Sequence, residues 1–119
     1  MTHMKRTLFP GYSVGTDAYE DIKEICPSYG KKAARIGGRH ALTAAQDKII
    51  AAAKEAGIET VGPFWYGGEA SVENIEMLKP KVADADMIFA VGGGKAIDTC
   101  KVLSHSTDRP FFTFPTIAS

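Results

Sequence analysis

Three consecutive glycines followed by a lysine, Gly92, Gly93, Gly94 and Lys95, form the segment with the clearest chemical meaning. They come after an apolar run and before a helical pattern, so they lie where a helix begins. The first turn of a helix exposes unpaired backbone N–H groups and a partial positive charge, and residues without a Cβ let an anion approach the backbone. The segment therefore predicts a site for the phosphate groups of a ligand.

Other glycines and small polar residues take equivalent places along the chain. They follow three further apolar runs, at Gly37-Gly38, Gly67-Gly68-Glu69 and Thr116–Ser119. The carboxyl ends of parallel strands meet at one edge of a sheet, where ligands bind in a crevice. We therefore expect a cleft at this edge, although tight turns after strands also favour glycine for steric reasons alone.

The elements that must position these residues alternate between short β-forming runs and longer helical segments. This order is typical of βαβ units and predicts an α/β fold with a mostly parallel sheet flanked by helices. The predicted strands are Lys32–Ile36, Glu59–Tyr66, Asp86–Val91 and Pro110–Pro115, and the predicted helices are Leu42–Ala56, Ser71–Val82 and Gly94–Ser104. A short helix at Ala18–Cys26 and an edge strand at Leu8-Phe9 complete the prediction.

Two of the helices carry additional signals. Ser71 is the expected N-cap of the second helix, Val72 belongs to its apolar stripe, and Pro80 predicts an end or kink near Lys79. The third helix is apolar on most sides, which predicts that it is well buried.

Composition excludes several classes of function. The chain has 119 residues, enough for one domain, with 14 basic and 14 acidic side chains. This balance disfavours nucleic acid and anionic membranes as partners. No apolar run approaches a membrane span or a signal sequence, so we expect a cytoplasmic protein. Cys26 and Cys100 lack CxxC spacing and are interpreted as packed thiols.

The glycine-rich segment does not match two common phosphate motifs. Walker A is absent because Lys95 is followed by Ala96 and no glycine lies five residues before Gly94. The GxGxxG dinucleotide fingerprint is absent because Ile97 stands where its third glycine is required. These residues alone predict a phosphate-bearing ligand that lies across several strand ends, and they do not identify the ligand further.

Four segments resemble the amino-terminal half of the glycerol dehydrogenases in the iron-containing (group III) alcohol dehydrogenase family. They are GGGKAIDTCK at 92–101, PFFTFPTIAS at 110–119, YGKKAARIGG at 29–38 and the F-x-x-G-x-E-x-S pattern at 64–71. The resemblance implies a Rossmann-like dinucleotide-binding domain over residues 1–119, normally followed by an all-helical metal-binding domain. It implies hydride transfer between a small alcohol or polyol and NAD or NADP.

The resemblance also implies roles for single residues. Gly93, Gly94 and Lys95 would cradle the cofactor pyrophosphate, with Gly92 in the same cofactor-binding loop, and Asp98 would hold the loop or contact the cofactor. Thr116 and Ser119 would line the phosphate and nicotinamide-ribose region. Structural alternatives stay open: Asp98 as a carboxylate favoured by the helix dipole in the first turn, and Thr116 as a hydroxyl that satisfies its own loop.

One departure from the family pattern concerns cofactor choice. Many NAD-using members have an aspartate after the first strand, where this chain has Gly37 or Gly38, followed by Arg39 and His40. Losing a carboxylate removes repulsion against a 2′-phosphate, and a guanidinium can pair with it. The departure favours NADP tolerance or preference, unless Arg39 is merely solvated.

The family's divalent metal, zinc or iron, has no ligand set in this sequence. His3, His40 and His105 lack ligand spacing and are expected to be structural. Because the chain ends within a motif, we expect it to be a fragment that is inactive alone. The oligomeric state of the parent stays open, with a homo-oligomer as one alternative. A 3-dehydroquinate synthase-like lyase, a glycerol-1-phosphate dehydrogenase and a stand-alone nucleotide-binding or interaction module are the alternatives.

Overall fold

The computed structural model describes Ile22 and residues 26–114. After a 3-10 turn at Cys26–Ser28, strands and helices alternate along the chain. The strands are β1 (Lys32–Gly37), β2 (Glu59–Trp65), β3 (Met87–Val91) and β4 (Phe111–Phe114). The helices are α1 (Arg39–Glu55), α2 (Val72–Leu78), continued by a 3-10 turn at Lys79–Val82, and α3 (Gly94–Thr107).

The four described strands form one sheet in the order β2-β1-β3-β4. All three strand pairs are parallel, which confirms the predicted α/β fold. The register between β1 and β2 shifts between Ala34 and Ile36, where β2 contains Gly62 and Pro63. Pro63 lacks a backbone donor, and β2 is an edge strand of the described sheet, where that loss is tolerated.

Helices cover both faces of the sheet. On one face α1 packs through Leu42, Ala45, Ile49 and Ala53 against β1, β3 and β4, and Ile22 joins this cluster. On the other face α2 and α3 pack through Ile75, Leu78, Cys100 and Leu103. The strand β3 is buried on both faces, as its continuous apolar sequence indicates.

The predicted strands lie within one or two residues of the observed ones, but the helices differ in detail. Helix α1 begins at Arg39 rather than Leu42. Ser71 caps α2 as predicted, since its hydroxyl accepts a bond from the Asn74 N–H at 3.1 Å. Val72 was wrongly assigned to the apolar stripe: it is 75% exposed.

Two further expectations can be compared with the structure. Helix α3 is less buried than predicted, because Val102 is 45% exposed. No helix in the described part of the chain combines the length and apolar character needed to cross a membrane. The predicted strand at Leu8-Phe9 and most of the predicted helix at Ala18–Cys26 lie outside the described residues.

Candidate functional site

The glycine segments after β1 and β3 lie side by side at the carboxyl-terminal edge of the sheet. The chain runs outward from β1 to β2 and then returns past β1 to β3, so its direction reverses between β1 and β3. The N–H of Gly38 donates to the carbonyl of Val91 at 3.3 Å, which joins the two segments. Such a reversal opens a crevice between neighbouring loops, and ligands of open α/β sheets bind there.

The two helices that flank this crevice, α1 and α3, lack a side-chain cap, whereas α2 is capped by Ser71. Gly93 is the N-cap of α3 and Gly38 is the N-cap of α1, and neither can offer a side-chain oxygen to the first turn. The first N–H groups of a helix have no partner within the helix. Two N-termini with exposed donors and aligned dipoles therefore flank the crevice, which favours anions there.

The fold itself does not require glycine at Gly93 or Gly94. A Cβ built at either residue meets no atom within 4 Å, and neither residue has a positive φ. Gly92 is different, because its φ is +132° and it is buried against Ala41. Space is therefore open where side chains at Gly93 and Gly94 would otherwise lie, beside the first turn of α3.

Gly37 also has a structural reason to be glycine. It pairs with Val91 across β1 and β3, and a Cβ at Gly37 would lie 2.0 Å from the carbonyl oxygen of Val91. After β2, Gly67 and Gly68 have φ values of +98° and +99°, so the turn itself favours glycine there. The predicted steric alternative thus accounts for these three residues.

Two charged side chains of the predicted site lie on α3. Lys95 is the second residue of the helix and is exposed beside the open glycines. Asp98 is exposed and is the fifth residue, so it does not belong to the first turn, where no acidic residue lies. The alternative of a first-turn carboxylate favoured by the dipole is therefore wrong, since Asp98 begins the second turn. Thr99 is buried and donates to the carbonyl of Lys95 at 2.8 Å.

Arg39 lies on an aromatic ring at the adjoining strand end. Its guanidinium carbon is 4.3 Å from the centroid of the Trp65 ring, a cation–π contact between the first residue of α1 and the last residue of β2. Arg39 thus contacts Trp65 and is at the same time exposed to solvent. Tyr66 follows Trp65, and its ring lies 3.9 Å from a Cβ built at Gly38.

A pocket of about 260 Å³ opens between α1 and β2 beside this contact. We call it the α1–β2 pocket, and its lining residues are Arg39, Leu42, Thr43, Gln46, Pro63 and Trp65. Behind it, the buried Arg35 of β1 donates through Nη1 to the Gln46 Oε1 at 3.3 Å. Burial lowers the pKa of the Arg35 guanidinium, and its Nε has no hydrogen-bond partner among the described residues.

The sequence analysis did not identify the α1–β2 pocket. Arg39 was singled out for its charge, but Trp65, Gln46 and Arg35 were not. Two signals were present: an arginine inside an otherwise apolar strand, and the single tryptophan of the chain at a strand end. Neither signal shows that these residues meet, because the contacts depend on how β2 pairs with β1.

The remaining predicted residues lie outside the described part of the chain or at exposed positions on the helices. Thr116 and Ser119 lie outside the described residues, as does His3. His40 and His105 are exposed on different helices, at the start of α1 and near the end of α3. Among Ile22 and residues 26–114, no three His, Cys, Asp or Glu side chains are grouped to hold a metal ion.

Known proteins share both the sequence pattern and this fold. The family model described as iron-containing alcohol dehydrogenase matches residues 13–119. A glycerol dehydrogenase of Escherichia coli is 33% identical over 92% of this chain and 30% of its own length. A glycerol-1-phosphate dehydrogenase [NAD(P)+] of Methanoculleus marisnigri is 32% identical over 89% of this chain and 29% of its own.

A solved structure agrees with the fold. The glycerol dehydrogenase of Schizosaccharomyces pombe superposes with a TM-score of 0.73 at 24% identity, over 91% of this chain and 28% of the other. The chain thus spans less than a third of the length of these relatives. Because the family model covers nearly the whole sequence, the chain belongs to the iron-containing alcohol dehydrogenase family.

Proposed function

We propose that residues 1–119 form the dinucleotide-binding domain of an NAD(P)-dependent oxidoreductase that transfers hydride between a small alcohol or polyol and nicotinamide. The observation that carries the proposal is the pair of open glycines, Gly93 and Gly94. The fold does not need glycine at either position, yet both keep the N-terminus of α3 accessible. A ligand that approaches the backbone closely gives the missing reason.

The topology suggests how a dinucleotide would lie on this edge. Its pyrophosphate would meet the N–H groups after Gly93 and the ammonium group of Lys95, since anions bind there most favourably. The adenosine would extend over the ends of β1 and β2, and the nicotinamide would extend toward β4 and its following residues, Thr116 and Ser119. Asp98 would hold the loop or contact the cofactor from the second turn of α3.

In this proposal the described residues bind and orient the cofactor, and the bound nicotinamide accepts or donates the hydride. Fixing the pyrophosphate on α3 sets the distance along the edge at which the nicotinamide stands. This positioning lowers the entropic cost of bringing the ring and the substrate carbinol together. Selection of the substrate lies outside the described residues.

The family name implies a metal, and we propose zinc or iron for the parent enzyme. The described residues do not fit this role, since they contain no suitable group of ligands. Its ligands would therefore come from outside the described part of the chain, and no step of the reaction is assigned to it here. A cytoplasmic location and a homo-oligomeric parent stay predictions of the sequence.

Two observations favour NADP as a cofactor that the parent enzyme accepts. Gly38 brings no carboxylate to the end of β1, and Arg39 lies beside it in contact with Trp65. A 2′-phosphate would therefore meet a guanidinium and no anionic group from these residues. NAD remains usable, because its ribose hydroxyls meet no clash at a glycine.

A second candidate differs only in its substrate. The Methanoculleus marisnigri relative bears the name glycerol-1-phosphate dehydrogenase. It is 32% identical to this chain, and the Escherichia coli glycerol dehydrogenase is 33% identical. This candidate shares the cofactor site, so the described residues do not separate the two. Activity of the full-length parent with glycerol and with glycerol 1-phosphate would separate them.

Substitution of an open glycine tests the proposed cofactor site. Gly94→Val fills space that is empty in the fold, so we expect little change in melting temperature. The side chain would block the pyrophosphate, and we expect the Kd for NAD+ and NADP+ in isothermal titration calorimetry to rise at least tenfold. Ala51→Val, at an exposed position of α1, is the matched control and should bind normally. Unchanged binding in Gly94→Val would refute the site.

A further inference from the structure

Gly92, the first residue of the glycine segment, is enclosed by three elements of the fold. Its N–H donates to the carbonyl of Phe114 on β4 at 3.2 Å. A Cβ built at Gly92 would lie 3.3 Å from the Cβ of Ala41 on α1 and 3.6 Å from the Cβ of Ala96 on α3. A Cβ at either of the next two glycines would meet no atom within 4 Å. The segment is therefore anchored at its first residue and open at the two that follow.

Ala41 is the third residue of α1 and lies outside the glycine segment. Its methyl group is nevertheless the nearest atom on the side of Gly92 where a side chain would point, ahead of the Gly38 nitrogen at 3.6 Å. Ala96, the third residue of α3, is 3% exposed and also packs there. Position 92 favours glycine because its φ is +132°. The sizes of Ala41 and Ala96 therefore set how closely the first turns of α1 and α3 approach Gly92.

A larger side chain at position 41 would displace the glycine segment more easily than it would displace α1. Helix α1 is held by the buried residues Leu42, Ala45 and Ile49, which belong to the core cluster on this face of the sheet. The two open glycines have free space around them, so the backbone after Gly92 can shift without a clash. Close-packed contacts transmit such a displacement to their neighbours. It would therefore reach the N–H groups of the first turn of α3.

We propose that Ala41 is a positioning residue for the cofactor pyrophosphate. Its methyl group sets the place of Gly92, and thereby the place of the N–H groups that would bind the phosphates. The inference rests on the proposed function and goes beyond it, because Ala41 belongs to another helix and makes no contact with the cofactor in this proposal. A misplacement of about 1 Å can lower the rate of an enzyme about 10²-fold, so a small displacement is enough to matter.

Ala41→Val tests whether the size of this residue positions the segment. Valine fills two of the three staggered positions on its Cβ and strongly favours one rotamer in helices, so it has little freedom to turn both methyl groups away from Gly92. We expect the Kd for NAD+ in isothermal titration calorimetry to rise at least fivefold. Ala41→Ser adds one atom that can turn toward solvent, since Ala41 is partly exposed, and should keep the Kd within about twofold. Ala41→Thr, with the same branched shape as valine, repeats the test if Ala41→Val is poorly folded.

Two control variants on α1 separate positioning from general destabilisation. Ala44→Val makes the same substitution at an exposed site of the helix. Ile49→Val removes a methylene group from a fully buried site and lowers stability without touching the glycine segment. Both variants should bind NAD+ with the Kd of the unsubstituted chain. A rise in Kd in Ile49→Val that equals the rise in Ala41→Val would overturn the proposal.

Amide resonances provide a measurement that needs no cofactor. In isotope-labelled protein without ligand, Ala41→Val should shift the amide resonances of Gly93, Gly94 and Lys95. Ala44→Val and Ile49→Val should leave these three resonances in place. Unchanged resonances of the three residues in Ala41→Val would overturn the proposal, because the displacement on which it depends would be absent.

Failure of this proposal can be distinguished from failure of the proposed function. If Gly94→Val weakens NAD+ binding and Ala41→Val does not, Ala41 has no positioning role and the cofactor site stands. If the resonances of the segment shift in Ala41→Val but neither variant changes the Kd, the proposed pyrophosphate site is wrong and the positioning role is refuted with it.

Discussion

Side chains bind the backbone at the amino-terminal end of the sheet, whereas at the carboxyl-terminal end glycines leave the first turns of α1 and α3 open. Of the three helices that begin at that end, α2 has a side-chain cap, from Ser71. At the amino-terminal end, the Asp86 carboxylate accepts from the N–H groups of Lys31 and Lys32 at 2.8 and 3.1 Å. These bonds join the beginning of β1 to the beginning of β3. At the other end, α1 and α3 begin on glycines without side-chain caps.

Arg109 extends the same pattern at the amino-terminal end. Its guanidinium donates to the carbonyls of Ala85 at 2.7 Å, Ala83 at 2.9 Å and Thr107 at 2.9 Å. The residue thereby ties the turn before β4 to the turn before β3. Backbone groups that could bind water or a ligand are occupied there.

The contrast separates residues that hold the fold from residues that are free to bind. Satisfied polar groups contribute to stability, and removing one partner leaves the other unpaired. A helix end with glycine at the N-cap forgoes a few tenths of a kcal/mol that a good cap would supply. The chain forgoes this stabilisation twice, and both times at the point where strand order reverses.

The largest expected effect on stability comes from Gly37, which lies at the carboxyl-terminal end of the sheet but is required by the packing of β1 against β3. Gly37→Ala places a methyl group 2.0 Å from the carbonyl oxygen of Val91, so β1 and β3 must separate. We expect the free energy of unfolding to fall by about 3 kcal/mol or more. Chemical denaturation measures this change.

The neighbouring glycine supplies the control for this prediction. Gly38→Ala meets nothing closer than 3.9 Å at an ordinary φ of −76°, and its cost should stay below about 1 kcal/mol. If Gly37→Ala and Gly38→Ala lowered the free energy of unfolding equally, the close approach of β1 and β3 would not be the reason that the fold needs glycine at position 37.

A smaller loss of stability is expected at the amino-terminal end of the sheet. Arg109→Met keeps much of the side-chain length but removes donors from three carbonyls, so the free energy of unfolding should fall by about 2 kcal/mol. The Kd for NADP+ should change less than twofold, because the residue lies at the opposite end of the sheet. Lys101→Met, at an exposed position of α3, controls for loss of charge. A marked loss of NADP+ affinity in Arg109→Met would contradict the separation of roles.

The sequence predicted the strands well because each is a short apolar run bounded by glycine, proline or charge. It missed the start of α1, since Arg39 and His40 carry no apolar periodicity and Gly38 is not a strong cap signal. Val72 was misplaced because its spacing fits the stripe of α2, but it is the first residue of this short helix and is 75% exposed. Local pattern does not show whether a neighbouring element covers a given turn.

The site was predictable only in part. Gly93, Gly94 and Lys95 form one continuous segment, so their proximity was readable from the sequence. The contact of Arg39 with Trp65 joins residues 26 positions apart and depends on the shifted register of β2 against β1. The sequence also could not separate Gly37 from Gly38, because only the distance to Val91 shows that one is required by packing and the other is not.

The smallest change in stability is expected when a capping side chain is introduced at Gly38. Gly38→Asp places a carboxylate at the N-cap of α1, and the φ and ψ values of −76° and 154° suit a capping aspartate. The free energy of unfolding should rise by a few tenths of a kcal/mol. The same carboxylate would stand beside Arg39 and repel a 2′-phosphate, so the ratio of the Kd for NADP+ to that for NAD+ should rise at least tenfold.

Gly38→Asn distinguishes the charge of this side chain from its capping. Asparagine caps as well as aspartate but carries no charge, so it should give the same gain in stability with a much smaller change in the cofactor ratio. If Gly38→Asp stabilises the protein and leaves the ratio unchanged, the end of β1 does not face the cofactor ribose. If both measurements change as expected, the protein lacks the stabilisation of a capping side chain at Gly38, and the absence of that side chain allows a phosphorylated cofactor to bind.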